Sequence, residues 1–402
     1  MRTRREFLAG SAACGALFEG AAPSLAAGPA APYAPGRKVR IGVVGGGFGA
    51  SFQWHEHPNC KVAAVTDLRP ERRDKLRQTY RCDNVFGSLE EMLRSSTKLD
   101  AVAVFTGAPL HYQHVEMCMR RGLHAISAVP AVLTLEDAAK LKALKESTGL
   151  RYMMAETSYY RQACIYARDL YRRGGFGEMF YTELEYYHDG GERQSMPLDK
   201  TSRLYEPDGS HSWRWGLPPM LYPTHCLGFL VGVTRERIAR VSCLGWGNQD
   251  LVLKDNAYRN PFHSQASLMQ TSQGHMCRCN VFWLAAAIEE RAQWFGEKGT
   301  LYMSNMDVQP DTWKANNLSM ERLKIPEYWR SEMLPEPMRH ASGHGGSHAF
   351  LTAEFINALV EDREPAVNVY EALAMTVPGI VAHQSSLRGG EQLKVPQFDK
   401  LA

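Results

Sequence analysis

The chain of 402 residues has no long apolar run and no dense stripe of lysine and arginine, and each absence removes a class of function. A helix that crosses a bilayer needs about 20 mostly apolar residues, whereas the Ala/Gly-rich stretch near the N-terminus is shorter and contains Glu19. Nucleic-acid-binding faces usually combine clustered basic residues with aromatics, and here the net charge is +3 without such a cluster. We therefore expect neither a membrane anchor nor a nucleic-acid partner.

The nine cysteines include no C-x-x-C pair and no regular spacing, so the sequence predicts no disulfide framework. His275, Cys277 and Cys279 carry side chains of the kind that bind zinc. They lie in a strand-like stretch, where residues two apart share one face, and we expect the two thiols to pack in a core. His344 and His348 would share a helix face, but the glycines between them favour a loop. No metal site is predicted.

The N-terminus carries the pattern of an export signal. Arg4 and Arg5 precede a short apolar stretch, and small residues follow at 24–27. This pattern is typical of a twin-arginine signal peptide, which is removed from the mature protein. We therefore expect a periplasmic or secreted protein, folded before it leaves the cytoplasm.

The composition of the whole chain, with 44% hydrophobic and 22% charged residues, is typical of a soluble globular protein, and its length allows two domains. Strand-like and helix-like segments alternate up to residue 148, which predicts a doubly wound parallel α/β sheet. From residue 178, longer strand-like runs without helices between them predict an α+β domain with an open, mainly antiparallel sheet. The expected order is signal 1–27, linker 28–36, Rossmann domain 37–155, substrate domain 156–345, and C-terminal helices 346–402 at the domain junction.

A glycine-rich turn at residues 45–50 (GGGFGA) fits the pattern G-x-G-x-x-G/A that binds dinucleotides. It directly follows a buried strand, and a second strand ends in Asp67, about 20 residues further on. Gly45 permits the tight turn, and Gly47 lets the backbone approach a pyrophosphate. The Asp67 carboxylate accepts hydrogen bonds from ribose hydroxyls and repels a 2′-phosphate, so NAD is favoured over NADP, although Arg69 lies nearby.

Three further motifs accompany this turn: residues 106–111 (TGAPLH), Pro130, and residues 295–300 (FGEKGT). Together they resemble the glucose-fructose oxidoreductase/inositol dehydrogenase (Gfo/Idh/MocA) family over nearly the whole mature chain. The resemblance implies an NAD-binding Rossmann domain joined to an open sheet whose face forms a sugar site over the nicotinamide. Members often pair through the open sheet, so a homo-oligomer is an expectation.

Two positions depart from the usual dehydrogenases of this family. Val129 occupies the place of the catalytic lysine, and Leu221 occupies the place of an aspartate four residues before His225. An apolar side chain cannot act as acid or base. Residues 221–225 (LYPTH) instead resemble the subgroup of NAD-dependent glycosidases typified by α-N-acetylgalactosaminidase.

Other segments match the same subgroup. It has Val-Pro in place of Lys-Pro, an acidic residue in the segment that corresponds to residues 152–156, a Tyr-x-His-Asp corresponding to residues 186–189, and a glycine-rich segment corresponding to residues 344–346. The subgroup oxidises C3 of the sugar with bound NAD⁺, eliminates the C1 leaving group, adds water and restores the cofactor. A cofactor that is recycled in this way can be exported already bound.

The resemblance implies site residues by position. Tyr186 would be the base at C2, with His225 and Tyr222 as further catalytic residues and Arg214 and His188 as substrate ligands. A basic tyrosine needs a cationic neighbour such as Arg214, because its pKa is ordinarily near 10. The expected cofactor-binding residues are Gly45, Gly47, Phe48, Gly49, Asp67, Ala108, His111, Val129 and Thr157.

Two other functions remain open at this stage. A plain NAD-dependent sugar dehydrogenase or epimerase would use the same fold with His225 as base. A sugar-binding protein that keeps NAD as a structural element would bind without turnover. The subgroup's second substrate tyrosine has no clear counterpart, and the sequence specifies neither the sugar nor its anomer.

Overall fold

The computed structural model describes residues 38–189, 195–304 and 309–400, so the predicted signal and the predicted linker lie outside the described residues. Within these ranges, no helix combines the length and the apolar character that crossing a membrane requires. The described chain contains two β-sheets, and helices cover one face of the second sheet and both faces of the first.

The first sheet has six strands, all paired in parallel, in the order β3-β2-β1-β4-β5-β6. Its central strands are buried along nearly their whole length, because helices cover both faces and only apolar residues fit between them. This sheet confirms the predicted Rossmann-like architecture. The strands are β1 Val39–Val44, β2 Cys60–Thr66, β3 Val85–Phe86, β4 Ala101–Val104, β5 His124–Ser127 and β6 Tyr152–Met154.

Five helices belong to this part of the chain, and their ends follow local rules. Thr134 begins α4 by accepting a hydrogen bond from the backbone N–H of Asp137 at 3.0 Å. Pro70 stands in the first turn of α1, where no backbone donor is needed. The helices are α1 Pro70–Tyr80, α2 Leu89–Arg94, α3 His111–Met119, α4 Leu135–Thr148 and α5 Gln162–Arg172.

The helix expected immediately after the glycine turn is absent from the described chain between β1 and β2. A short 3₁₀ turn, Gly49–Ser51, stands in its place. Phe52 then adopts an extended backbone, with ψ of 153°, and both Phe52 and Trp54 are fully buried. Burial of these two aromatic rings outweighs the local helical pattern.

The second sheet has nine strands in the order β14-β13-β12-β11-β7-β10-β9-β8-β15. Only β7 and β10 pair in parallel, so the predicted mainly antiparallel sheet is confirmed. The strands are β7 Met179–Asp189, β8 Ile238–Trp246, β9 Ser264–Thr271, β10 Met276–Ala285, β11 Glu289–Gly296, β12 Gly299–Tyr302, β13 Thr312–Ala315, β14 Glu321–Arg322 and β15 Leu393–Lys394.

The prediction that no helix stands between these strands is wrong, because helix α6, Thr224–Thr234, lies between β7 and β8. It packs on β7, β10 and β11. Residues 224–233 of this helix are all buried. A helix that is apolar on every side shows no amphipathic period, so its sequence does not distinguish it from a buried strand. The short helix α7 Leu251–Lys254 follows β8.

Two helices close the chain, α8 Ser347–Val360 and α9 Val369–Leu387. Helix α8 contacts β1 of the first sheet, whereas α9 packs on α4 from the first part of the chain and on α6 and β8 from the second. Cys277 and Cys279 on β10 are buried in the core of the second sheet, while the imidazole of His275 lies 2.9 Å from Glu236.

Candidate active site

The glycine turn has the shape that a dinucleotide requires. Gly45 adopts a φ of +98°, and a Cβ atom there would lie 2.1 Å from the carbonyl oxygen of Phe105, so only glycine fits. A Cβ at Gly47 would meet nothing closer than the Arg72 guanidinium, at 3.6 Å. The backbone at Gly47 is therefore open to a ligand beside a cation, as a pyrophosphate needs. Arg72 has no sequence motif that marks it.

Asp67 stands at the end of β2, where the ribose of a dinucleotide would lie. Its carboxylate accepts hydrogen bonds from the backbone N–H of Gly46 at 2.7 Å and of Arg69 at 2.8 Å. The Arg69 guanidinium points to Glu206, 3.0 Å away in the second domain. This pairing reduces its availability for a 2′-phosphate, and the residues present fit NAD.

Phe48 joins the turn to the C-terminal part of the chain. Its ring packs edge-on against His344 and His348, with centroids 5.8 and 5.2 Å away. His348 Nδ1 lies 3.0 Å from the Ser51 carbonyl oxygen, and His348 Nε2 lies 2.8 Å from His344 Nδ1. Burial lowers the pKa of His348 to about 4 and also lowers that of His344. Two neutral imidazoles thus support the turn from α8.

Ala108, His111 and Val129 are all buried, next to the turn. The two ring nitrogens of His111 lie 2.7 Å from the Pro130 carbonyl oxygen and 3.0 Å from the Thr106 carbonyl oxygen. Burial lowers the pKa of His111, and the neutral ring donates one of these bonds. The His111 ring therefore lies between two loops of the cofactor domain and hydrogen-bonds one of them.

A buried acid-base pair forms where the first domain meets α6. His225 Nδ1 lies 3.0 Å from Glu156 Oε1 and 3.3 Å from the Thr157 hydroxyl. The Glu156 carboxylate also accepts a hydrogen bond from the Ser158 backbone at 2.8 Å. Burial alone would raise the pKa of Glu156 and lower that of His225, but their mutual attraction outweighs it, so the Glu156 pKa is lowered and the His225 pKa raised.

Aromatic rings surround His225 on the side of the second sheet. The Tyr186 ring lies 4.6 Å from the His225 ring, and the Tyr222 ring lies 5.3 Å from it. The Tyr186 hydroxyl is 2.8 Å from His188 Nε2, since residues two apart on β7 share one face. On β10, Val281 pairs with Tyr186 of β7. Trp283 stands two residues after Val281, and the Trp283 ring contacts His188.

A second buried ion pair lies close to the same rings. Arg161 contacts Glu290 with nitrogen-oxygen distances of 2.6 and 3.1 Å. The positive charge of Arg161 and the negative charge of Glu290 both act on the His225 pKa, and Arg161 also interacts electrostatically with Tyr186. Since these partners are 129 residues apart, no local pattern in the sequence could have indicated this pair.

Arg214 lies at the edge of the aromatic cluster. Its guanidinium stacks on Trp213, 4.2 Å from the ring centroid. Burial raises the pKa of Tyr222, and the nearby Arg214 charge opposes that rise. The Trp213 indole packs against Gly107, where an added Cβ would lie 2.9 Å from it. The segment around Arg214 thus touches the loop that follows β4.

The structure therefore brings Tyr186, His188, Tyr222 and His225 into one cluster, with Arg214 at its edge. Thr157, expected at the cofactor, contacts this cluster through His225. Glu156, Arg161 and Glu290 join it without having been predicted as site residues. Glu156 had a signal, because an acidic residue in its segment belongs to the family resemblance. A buried carboxylate, an imidazole and a phenol in contact provide the groups for proton transfer beside a sugar.

Family models match both ends of the described chain. Residues 39–156 match the model of an oxidoreductase family with an NAD-binding Rossmann fold. Residues 287–402 match the model of the C-terminal domain of glycosyl hydrolase 109.

Full-length relatives carry a related name. A glycosyl hydrolase family 109 protein of Streptomyces coelicolor is 22% identical, over 99% of this chain and 94% of its own. One from Solibacter usitatus is 23% identical, over 98% and 95%. The 2,7-anhydro-N-acetylneuraminate hydratase of Escherichia coli is 28% identical over 54% of this chain and 57% of its own.

Solved structures share the fold. An inositol dehydrogenase homolog of Azotobacter vinelandii, complexed with NADH and myo-inositol, superposes with a TM-score of 0.69 at 18% identity, over 89% of this chain and 98% of that one. A scyllo-inositol dehydrogenase of Lactobacillus casei, with bound NAD(H) and scyllo-inositol, gives 0.68 at 18% identity, over 89% and 99%.

Proposed function

We propose that this chain, which matches an NAD-binding Rossmann domain of the Gfo/Idh/MocA type over residues 39–156 and a glycosyl hydrolase 109 C-terminal domain over residues 287–402, hydrolyses glycosides by transient oxidation at C3 of the sugar. The observation that carries this proposal is the contact of Tyr186 with the buried Glu156–His225 pair. These groups can move protons, whereas Val129 and Leu221, at the positions of the usual lysine and aspartate, cannot.

The chemistry that bound NAD supplies is reversible hydride transfer at C3. His225, held through Nδ1 by Glu156, presents Nε2 to the proton of the C3 hydroxyl. The nearby carboxylate favours the protonated imidazole, so it strengthens His225 as a base. Glu156 is a positioning residue for His225, as the acidic member of a catalytic triad is for its histidine.

Tyr186 acts at the neighbouring carbon. A ketone at C3 acidifies the C2 proton, which the Tyr186 oxygen removes as the C1–O bond breaks and the leaving oxygen takes up a proton from solvent. Arg161, which interacts electrostatically with Tyr186, stabilises the phenolate. Water then adds its oxygen to C1 and releases one proton to solvent, Tyr186 gives a proton to C2, and the C3 ketone is reduced back to the alcohol. Arg214, Tyr222 and His188 hold the sugar hydroxyls.

Isotope exchange tests this route. An aryl glycoside is incubated with the holoenzyme in D₂O, and the released sugar is examined by NMR. We expect deuterium at C2, because the proton that Tyr186 returns comes from solvent. Cleavage without deuterium at C2 would exclude the elimination route. A Tyr186→Phe variant is the matched control, because it keeps the ring and removes the proton-accepting oxygen.

A plain NAD-dependent sugar dehydrogenase is the second candidate, favoured by the same Glu156–His225 pair, which suits the oxidation of an alcohol. The two functions differ in the fate of the cofactor. Stoichiometric accumulation of NADH on a free sugar, without glycoside cleavage, would identify the dehydrogenase. A glycosidase leaves the NADH absorbance at 340 nm unchanged over many turnovers.

We also propose that residues 1–27 direct export by the twin-arginine pathway to the periplasm or beyond. Replacing Arg4 and Arg5 by lysine is then expected to keep the protein in the cytoplasm, which cell fractionation measures.

Pairing of two copies through the open face of the second sheet is supported by the exposed side chains of Leu244, Trp246 and Leu268. A monomeric mass in solution would contradict that pairing.

A further inference from the structure

A cavity with a volume of about 320 Å³ lies beside the aromatic cluster. Arg214 and Trp283 line it and separate it from Tyr186 and Tyr222, since the Trp283 ring centroid is 6.2 Å from that of Tyr186 and 6.0 Å from that of Tyr222. The remaining walls come from residues 196–284 of the second domain. We call it the Leu251 cavity.

The walls of the Leu251 cavity are mainly apolar. Leu198 and Leu251 line it while remaining 85% and 57% exposed. Its base includes Met196 and Leu204, which belong to a small separate core. Exposed leucines around a concave apolar surface are typical of a binding site, because a ligand there removes their surface from water.

Hydrogen bonds fix the shape of the Leu251 cavity. The Asn256 side chain donates to the carbonyl oxygens of Val252 and Asn260 at 3.2 and 3.0 Å, and the Asn260 side chain donates to that of Gly216 at 3.2 Å. Gly216 adopts a φ of +67°, and a Cβ there would lie 2.2 Å from Asn256 Cβ. A wall held in this way costs a ligand little ordering entropy.

The direction of the Leu251 cavity relates it to one end of the sugar. C3 must face the cofactor, on the side of Val129 and Thr157, and C2 must face Tyr186. C1 follows C2 on the side away from C3. Trp283 contacts the Tyr186 ring and also lines the Leu251 cavity, so the cavity adjoins the C2 base, and no residue of the first domain lines it. Arg214 and the contact of Asp250 with His263, 2.8 Å apart, supply its polar edge.

We propose that the Leu251 cavity binds an apolar aglycone, so that the natural substrate is a glycoside with a lipid-like or aromatic group at C1. This inference rests on the proposed glycosidase function. It specifies the leaving-group side, which neither the family nor the sequence identifies.

A series of alkyl glycosides tests the aglycone site. Methyl, butyl and hexyl glycosides of the sugar that the aryl glycoside assay identifies release alcohols of similar acidity, so differences in rate report contacts of the chain and not bond strength. We expect kcat/KM to rise with chain length, by up to about fourfold for each methylene that becomes buried. In the double variant Leu198→Ser, Leu251→Ser, the ratio of hexyl to methyl kcat/KM falls several-fold. Leu318→Ser, at a leucine that is 54% exposed elsewhere, keeps the ratio.

Binding of hexan-1-ol to the NAD-loaded protein, measured by calorimetry, separates this inference from the proposed function. Hexan-1-ol that binds to the wild type, and more weakly to the double variant, supports the cavity even if no glycoside is cleaved. Cleavage whose rate does not depend on chain length, or a ratio that is unchanged in the double variant, overturns the aglycone site and leaves the glycosidase standing.

Discussion

Glu156 has no exposed surface, and its charge is balanced by one imidazole, that of His225, 3.0 Å away. A buried carboxylate without a partner is strongly unfavourable, so each member of the pair depends on the other. The sequence indicated His225 through its motif. It could not indicate the contact, because the two residues are 69 positions apart.

Glu156→Gln is expected to lower kcat by about 10² to 10⁴, because His225 loses the charge that makes it a stronger base. The acid limb of the pH–rate profile should move to lower pH, since the raised pKa of His225 depends on Glu156. Glu236→Gln is a matched control, because Glu236 contacts His275 at 2.9 Å outside the site. A profile that does not shift would contradict the role of Glu156.

The same substitution changes stability with pH. The raised pKa of His225 stabilises the folded state fully below the unfolded pKa of about 6.5. This stabilisation is lost as pH rises through the folded pKa of His225. The lowered pKa of Glu156 stabilises the folded state above the unfolded pKa of about 4.3, and this stabilisation is lost as pH falls through the folded pKa. The unfolding free energies of wild type and Glu156→Gln should therefore differ most between about pH 4.5 and 6.5, by about 3 kcal/mol, and the difference should shrink as pH rises through the folded pKa of His225.

Asp67→Ser is expected to weaken NAD binding about tenfold or more, because charge-assisted hydrogen bonds contribute about 1.5–3 kcal/mol. The preference for NAD over NADP should fall as well, since a carboxylate no longer repels the 2′-phosphate. Titration of the cofactor-free protein with each nucleotide measures both effects. Asp83→Ser, at an exposed aspartate, should leave both affinities unchanged.

At the scale of elements, regular sequence patterns predicted strands well, whereas a segment whose conformation depends on long-range contacts could not be predicted. The buried strands of the first sheet could be predicted because Val, Ile and Ala runs between turn residues leave few alternatives. The segment after the glycine turn could not, because its conformation depends on Phe52, which stacks on His348 with centroids 4.5 Å apart. That partner lies almost 300 residues away in α8.

His348 is therefore expected to control cofactor binding without touching the cofactor. His348→Ala should cost about 3 kcal/mol of stability, because it opens a cavity against Phe52. It should also weaken NAD binding, since the 3₁₀ turn loses its support. His348→Phe retains the stacking and loses the bond to Ser51, so its stability should lie between those of wild type and His348→Ala. Denaturant unfolding and NAD titration measure both effects, and an unchanged NAD affinity in both variants would contradict this role.

For the whole molecule, three histidines make the fold sensitive to acid. Burial lowers the pKa of His57, His348 and His383 to about 4 each. At these three histidines the unfolded chain binds more protons than the folded chain between about pH 4 and 6.5, so they make stability fall as pH falls through this window. Each of these histidines changes the unfolding free energy by up to about 1.4 kcal/mol per pH unit.

This slope can be measured by denaturant unfolding at several values between pH 4.5 and 7. His57→Gln should reduce this slope, because one buried imidazole no longer titrates. The exposed His55 offers the control, because His55→Gln removes no buried imidazole. Identical slopes in all three proteins would show that carboxylates and not histidines determine the acid sensitivity.

One segment of the second domain contacts both halves of the proposed site. Glu206 holds Arg69 near Asp67, the residue expected to bind the ribose, and Trp213 packs on Gly107 while Arg214 faces Tyr222. Ordering of this segment by one ligand should lower the entropy cost of binding the other. Cofactor and sugar are thus thermodynamically linked, and by reciprocity each must raise the affinity of the other by the same factor. Glu206→Gln should decrease both factors equally, which titration of each ligand in the presence and absence of the other measures.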